Sequence, residues 1–138
     1  MTESKSMILG CAGKSLTRDE IRFYRGECPW GFILFARNIS EPEQIRDLVA
    51  EMRDCVERPD APVFIDQEGG RVQRLRPPLA PSYPAGAALG ALWRDDHDEG
   101  TRAAWLLGRL HAFDLARYDL GSDCLPVLDV PIEGASDV

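Results

Sequence analysis

A chain of 138 residues with 44% apolar and 28% charged side chains has ordinary globular composition, which excludes a disordered tail. Its 16 Lys plus Arg against 23 Asp plus Glu leave a net charge of -7, with Lys5 and Lys14 the only lysines, so no basic stripe exists to track a phosphate backbone and nucleic acid is not an expected partner. No apolar run reaches the roughly 18 residues of a membrane span, and Met1–Ser6 is polar where a signal peptide is basic and then apolar, so a cytoplasmic protein without a membrane partner is expected.

Ser6–Gly10 is a short apolar run ending in glycine, the pattern of a strand. Leu16–Glu27 follows as a helix, with Thr17 as N-cap and Glu20 completing a capping box. Trp30–Ala36 is apolar throughout, which fits a strand covered on both faces and hence a parallel sheet. Ser40 is then expected to cap a helix with Pro42 in its first turn and Glu43 at the capping-box position; Ile45, Leu48, Val49, Met52, Cys55 and Val56 recur at helical spacing. Pro59 and Pro62 end it, Val63–Asp66 starts another buried strand, and the Gly- and Pro-rich stretch Gln67–Gly90 is expected to be one long functional loop. Helical patterning returns over Glu99–Tyr118, and Cys124–Val130 is expected to form a fourth strand. Cys11, Cys28, Cys55 and Cys124 show no C-x-x-C or zinc-ligand spacing, so buried, reduced thiols are expected.

Strands alternating with helices define a parallel α/β fold, either a small doubly wound sheet or part of a (β/α)8 barrel. Length favours the small sheet, because a whole barrel takes about 250 residues. However, Gly10-Cys11-Ala12-Gly13 after the first strand matches neither G-x-G-x-x-G nor the Walker pattern, which argues against a nucleotide.

The polar groups concentrate in Asp66-Gln67-Glu68-Gly69-Gly70-Arg71-Val72-Gln73-Arg74, at the carboxyl end of the third strand, where parallel α/β folds carry their ligand face. A short Asp accepts two hydroxyl hydrogen bonds and an Arg fork donates to oxygens, a pair suited to adjacent hydroxyls of a sugar; a surface turn held by one ion pair is the plainer alternative. Asp66 and Glu68 offer too few oxygens for a hard cation, with only Asp129 of similar type nearby. His97, in an acidic run, is expected at a solvated helix start, and His111 as a packing histidine within a helix. Asp129, at the end of the expected fourth strand, either supports the site or caps a loop, and Glu68 braces its loop. Trp30, Trp93 and Trp105 are expected in the core or between helices.

The run Val63–Leu75 (VFIDQEGGRVQRL) resembles the hallmark of the glycoside hydrolase family 3 N-terminal barrel, specifically the bacterial β-N-acetylhexosaminidases. The likeness extends upstream through Gly31–Asn38 (GFILFARN) and downstream to Pro126–Val130 (PVLDV), covering about 7–138. It implies a (β/α)8 fold and a retaining exo-hydrolase of terminal β-linked N-acetylglucosamine, acting in peptidoglycan recycling in the cytoplasm on saccharides or muropeptides and needing no metal or nucleotide. Asp66 falls on the family's aspartate that holds sugar hydroxyls and Arg74 on its substrate-contacting arginine. The family's Lys-His pair, its acid/base histidine and its aspartate nucleophile have no counterpart in this sequence, nor has the arginine expected after Ser136-Asp137-Val138. Residues 1–138 are therefore expected to be about four β/α units of that domain, truncated on its C-terminal side and inactive alone, because retention needs both a nucleophilic carboxylate and an acid/base group. The alternatives are a sugar-binding module, a half-barrel that self-associates through exposed strand edges, or a small self-contained doubly wound binding domain.

Overall fold

The computed structural model describes residues 3–129, 132 and 134. Its elements are β1 (Lys5–Leu9), α1 (Arg18–Glu27), β2 (Pro29–Leu34), α2 (Pro42–Cys55), β3 (Val63–Ile65), β4 (Gln67–Gly69), β5 (Val72–Gln73), α3 (Gly86–Asp95), α4 (His97–Ala116) and β6 (Ser122–Asp123). The main sheet has the order β1-β2-β3-β6 with every neighbouring pair parallel. Each new strand joins beside the previous one and the progression never reverses. A doubly wound sheet would reverse at a switch point, so this order is that of consecutive units of a barrel wall.

Local chemistry sets the helix starts. The Thr17 hydroxyl accepts from the Glu20 amide at 3.2 Å while the Glu20 carboxylate accepts from the Thr17 amide at 2.7 Å, the expected capping box. The start of α2 differs from the expected Ser40–Glu43 box: Glu41 is the N-cap, with Pro42 as the first helical residue. Gln44, the third helical residue, reaches back instead, its Oε1 accepting from the Ser40 amide at 3.0 Å and the Ser40 hydroxyl at 2.9 Å. With Glu41 rather than Ser40 as the N-cap, the third helical position, whose side chain reaches back, falls on Gln44 instead of Glu43.

Parallel pairing places Phe32 beside Val63, and Leu34 beside Ile65, which in turn neighbours Asp123. Phe32, Leu34, Val63 and Ile65 are fully buried together with Ile45, Leu48, Val49 and Met52 of α2 and Tyr24 of α1. Each such side chain contributes about 1.5–3 kcal/mol of burial. Gly31 faces the other way, and a Cβ on it would stand 2.8 Å from the Pro62 carbonyl oxygen. That second face, with Ile8, Ile33 and Phe64, is only partly covered; Ile8 is 43% exposed.

The long-loop expectation for Gln67–Gly90 is overturned. The stretch folds into the antiparallel β4–β5 hairpin and the start of α3. The Ala- and Gly-rich helix buries no residue fully, so it lacks the apolar stripe that announces a helix. It lies close against α4, where a Cβ on Gly100 would meet Trp93 Cα at 2.3 Å. The expected strand Cys124–Val130 is also displaced: pairing with β3 covers only Ser122 and Asp123, and 124–129 leaves the sheet. Pro126 has no amide to donate to a ladder, which stops the strand despite its apolar neighbours. Val130 lies outside the described residues.

Three cysteines are buried and unpaired as expected, but Cys124 is exposed, because its strand ends before it. None of the tryptophans is a core residue, although Trp93 does pack between α3 and α4 as expected. Trp30, Trp93 and Trp105 are 44%, 48% and 60% exposed, touching Phe64, His97 and Arg109 respectively. They lie outside the helix-covered face of the sheet, on which the core is built.

Candidate functional site

Asp66 follows β3 directly, in alternation with Phe64, and so belongs to the face of the sheet that no helix covers. Arg74, one residue beyond β5, returns to it: Arg74 Nη2 donates to Asp66 Oδ2 at 2.5 Å, and both side chains keep partial access to solvent. Arg74 Nε is buried without a hydrogen-bond partner among the described residues. The structure thus brings together the two residues singled out in the sequence, across the turn of one hairpin.

Two buried glutamines hold that hairpin. Gln67 Oε1 accepts from the amides of Arg74 at 3.1 Å and Leu75 at 2.9 Å, and its Nε2 donates to the Leu75 carbonyl at 3.0 Å. Gln73 Nε2 donates to the carbonyls of Leu75 and Pro81, both at 2.7 Å, while its Oε1 accepts from the Tyr83 amide at 3.0 Å. Between them, Gly69 (φ +91°) and Gly70 (φ +59°) make the turn. A Cβ on Gly69 would stand 2.3 Å from the Pro84 carbonyl oxygen, and one on Gly70 2.7 Å from Ala85 Cβ. Such side-chain amides satisfy backbone groups that have no ladder partner, and so fix Arg74 before any ligand arrives.

Beneath the hairpin lies an acid the sequence reading missed. Asp123, at the end of β6, accepts from the Gln67 amide at 3.0 Å through Oδ1, while Oδ2 is buried without a partner among the described residues. Burial, helped by the negative charges of Asp66 and Glu68, pushes its carboxyl up to about 6. Burial and a hydrogen bond to the Asp66 carboxylate push the Cys124 thiol up to about 11. The available signal for Asp123 was its position among polar residues just before an apolar run; the run itself drew the strand too late.

Other candidates are separated from the pair. Asp129 ends no strand; with Glu68, Gly69, Arg71 and His111 it lines a cleft of about 890 Å³ between the hairpin, α3, α4 and 125–129. Glu68 lies on β4, near enough for its charge to help raise the Asp123 carboxyl. His97 opens α4 as an exposed residue with its ring 4.1 Å from that of Trp93, and Asp96 caps the helix through the amides of Asp98 and Glu99, both at 3.0 Å. His111 is 2% exposed and packs on the Tyr83 ring at 4.7 Å, as a packing histidine should. Tyr83 donates to Asp114 Oδ2 at 2.5 Å. Arg37 and Asn38 brace the neighbouring loop: Arg37 Nε donates to the Cys11 carbonyl at 3.0 Å, and Asn38 Nδ2 donates to the carbonyls of Cys11 at 3.2 Å and Gly13 at 2.6 Å. Among the described residues, no cluster of three or more His, Cys, Asp or Glu side chains could hold a metal ion, and no helix is long and apolar enough to cross a membrane.

A carboxylate and a guanidinium locked at the end of a parallel strand can accept from one sugar hydroxyl and donate to the next. Comparison with known proteins gives this arrangement a context. The sequence profile of the family described as "Glycosyl hydrolase family 3 N terminal domain" matches residues 30–136. The chain belongs to that family. A beta-hexosaminidase of Aromatoleum aromaticum is 35% identical over 124 residues, covering 90% of this chain and 35% of that protein. A beta-hexosaminidase of Pseudomonas aeruginosa is 37% identical over 125 residues, 91% of this chain and 35% of that protein. NagZ from Neisseria gonorrhoeae, in a crystal structure with N-trifluoroacetyl-D-glucosamine, superposes with a TM-score of 0.83 at 31% identity, covering 92% of this chain and 37% of that one. This family 3 chain thus spans about a third of the length of the curated relatives it matches, and its fold is a four-stranded portion of the family's barrel.

Proposed function

We propose that residues 1–138 form the part of a family 3 barrel that holds the terminal sugar, with Asp66 and Arg74 binding adjacent hydroxyls of a β-linked N-acetylglucosamine unit. The observation that carries this is the 2.5 Å Asp66–Arg74 pair, fixed by Gln67 and Gln73 and facing away from the helices. In the full-length protein the reaction is retaining, exo-acting hydrolysis of that unit from a saccharide or muropeptide, in cytoplasmic peptidoglycan recycling, without a metal or nucleotide. The beta-hexosaminidase names of the relatives and the glucosamine analogue on NagZ support the sugar class. Retention needs a nucleophilic carboxylate opposite an acid/base group. The sequence matches neither of those family positions, so this chain binds and positions without performing the chemistry.

The analogue itself supplies the assay. In a ¹⁹F NMR titration, N-trifluoroacetyl-D-glucosamine is expected to broaden and shift on addition of this chain and to stay sharp with Asp66→Ala or Arg74→Ala. Equal binding by the two variants would remove the assignment. The chain alone is expected to release no product from an aryl β-N-acetylglucosaminide; turnover would refute the division between positioning and chemistry.

A further inference from the structure

Leu34 pairs in register with Ile65, so the residues that follow, Phe35 after β2 and Asp66 after β3, are neighbours at the carboxyl ends of adjacent strands. The backbone at Phe35 is still extended, with φ -119° and ψ 173°. Alternation with the buried Leu34 therefore turns its side chain to the face shared by Ile33, Phe64 and Asp66. Adjacent strands are about 4.8 Å apart, so a benzyl side chain leaves the sheet one strand spacing from the carboxylate of the Asp66–Arg74 pair. Two contacts fix its ring. The Arg37 guanidinium lies over it, with Cζ 4.7 Å from the ring centroid, and is itself tethered through Nε to the Cys11 carbonyl at 3.0 Å. Gly10, after β1, admits the ring edge: a Cβ there would stand 3.3 Å from Phe35 Cε2. Phe35 nonetheless keeps partial access to solvent.

A pyranose with equatorial hydroxyls carries its polar groups round its rim and its axial C–H bonds on its two faces. Asp66 and Arg74 can satisfy rim hydroxyls, but a carboxylate and a guanidinium give the C–H faces no apolar surface to lie on. Binding pockets answer this by setting a few placed polar groups among apolar and aromatic walls. An aromatic ring suits a C–H face because its π face is electron-rich while the C–H hydrogens carry a small positive charge. A ring held by Arg37 and Gly10 also loses little freedom when a ligand lands on it.

We infer that Phe35 is the apolar platform of the sugar site: one C–H face of the N-acetylglucosamine ring lies on the Phe35 ring while Asp66 and Arg74 hold hydroxyls at its rim. This rests on the sugar-holding reading of the pair and adds the surface that orients the sugar plane. The test titrates N-trifluoroacetyl-D-glucosamine by ¹⁹F NMR into the 138-residue chain and its variants. Phe35→Leu, which keeps apolar bulk but no flat face, is expected to bind about 3- to 10-fold more weakly than the parent chain, and Phe35→Tyr, which keeps the ring, within about twofold of it. In saturation-transfer NMR on the parent chain, irradiation of the aromatic protons is expected to reach the axial hydrogens of one sugar face ahead of those of the other, and Phe35→Leu is expected to abolish that difference. Equal binding by Phe35→Leu, an equal loss in Phe35→Tyr, or a one-face pattern that survives Phe35→Leu would overturn the platform. Should the urea midpoint show that Phe35→Leu is poorly folded, the parent chain decides alone, and even transfer to both faces would overturn it. Binding lost in Asp66→Ala but kept in Phe35→Leu would remove the platform and leave the proposed function standing, whereas a parent chain that binds no sugar would remove both.

Discussion

Asp123 holds its proton to about pH 6, against about 3.8 for an ordinary aspartate, because folding takes its carboxyl out of water. Between those values the folded chain binds more protons than the unfolded one, so stability is greatest below about pH 4 and falls as pH rises to about 6. The displacement corresponds to at most about 3 kcal/mol, and partial exposure reduces the expected slope to about 1–2 kcal/mol across the window. His111 acts in the opposite sense: burial lowers its pKa, and protonation of the unfolded chain costs stability as pH drops below about 6.5. Urea denaturation from pH 4 to 7.5 is therefore expected to show that Asp123→Asn removes the decline and leaves the rise to which His111 and the lowered Glu20 carboxyl contribute. An unchanged slope would show that Asp123 is already ionised at pH 4. At this scale the sequence was informative where a motif was long: Asp66 and Arg74 were legible because thirteen consecutive residues carry the family pattern. Asp123 was not, since strand ends are set by pairing with β3, and one proline outweighed the apolar run that follows it.

The β4–β5 hairpin is the element on which the site depends. Gly69→Ala would force a Cβ onto the Pro84 carbonyl at a backbone angle that L residues rarely adopt. A loss of about 3 kcal/mol or more is expected, read as a lower urea midpoint together with loss of the proposed sugar binding. Gly26→Ala is the matched control, because nothing lies within 4 Å of the added methyl in α1; a gain of about 0.5–1 kcal/mol is expected. If both glycines tolerated alanine, the turn would not be what fixes Arg74. The helices α1 and α2 could be read from capping residues and apolar spacing because they bury one stripe against the sheet. The hairpin and α3 could not: the first is held by the amides of Gln67 and Gln73, and the second has no buried stripe to detect.

For the molecule as a whole, burial is uneven. The core joins β2, β3 and α2, while α3 contributes no fully buried residue. Native-state hydrogen exchange is expected to open α3 several kcal/mol below the global transition that releases Leu48, Val49 and Met52, and equal protection of α2 and α3 would contradict this. Composition and the strand–helix alternation were enough to establish a parallel α/β chain. They left barrel and doubly wound sheet open, because the two differ only in strand order, and order is decided by which edges pair.

The Asn38 side chain gathers the Cys11 and Gly13 carbonyls and accepts from the Phe35 amide at 2.9 Å, while Glu51 accepts from the Leu16 amide at 3.0 Å. Every partner in this network lies before residue 52, so the loop after β1, the loop after β2 and much of α2 can lock together before β3 has left the ribosome. Chains emerge N-terminus first at about 5–20 residues per second, which leaves seconds for the first two units to settle. They would then offer β3 a finished surface to pair with, rather than a search among loose ends.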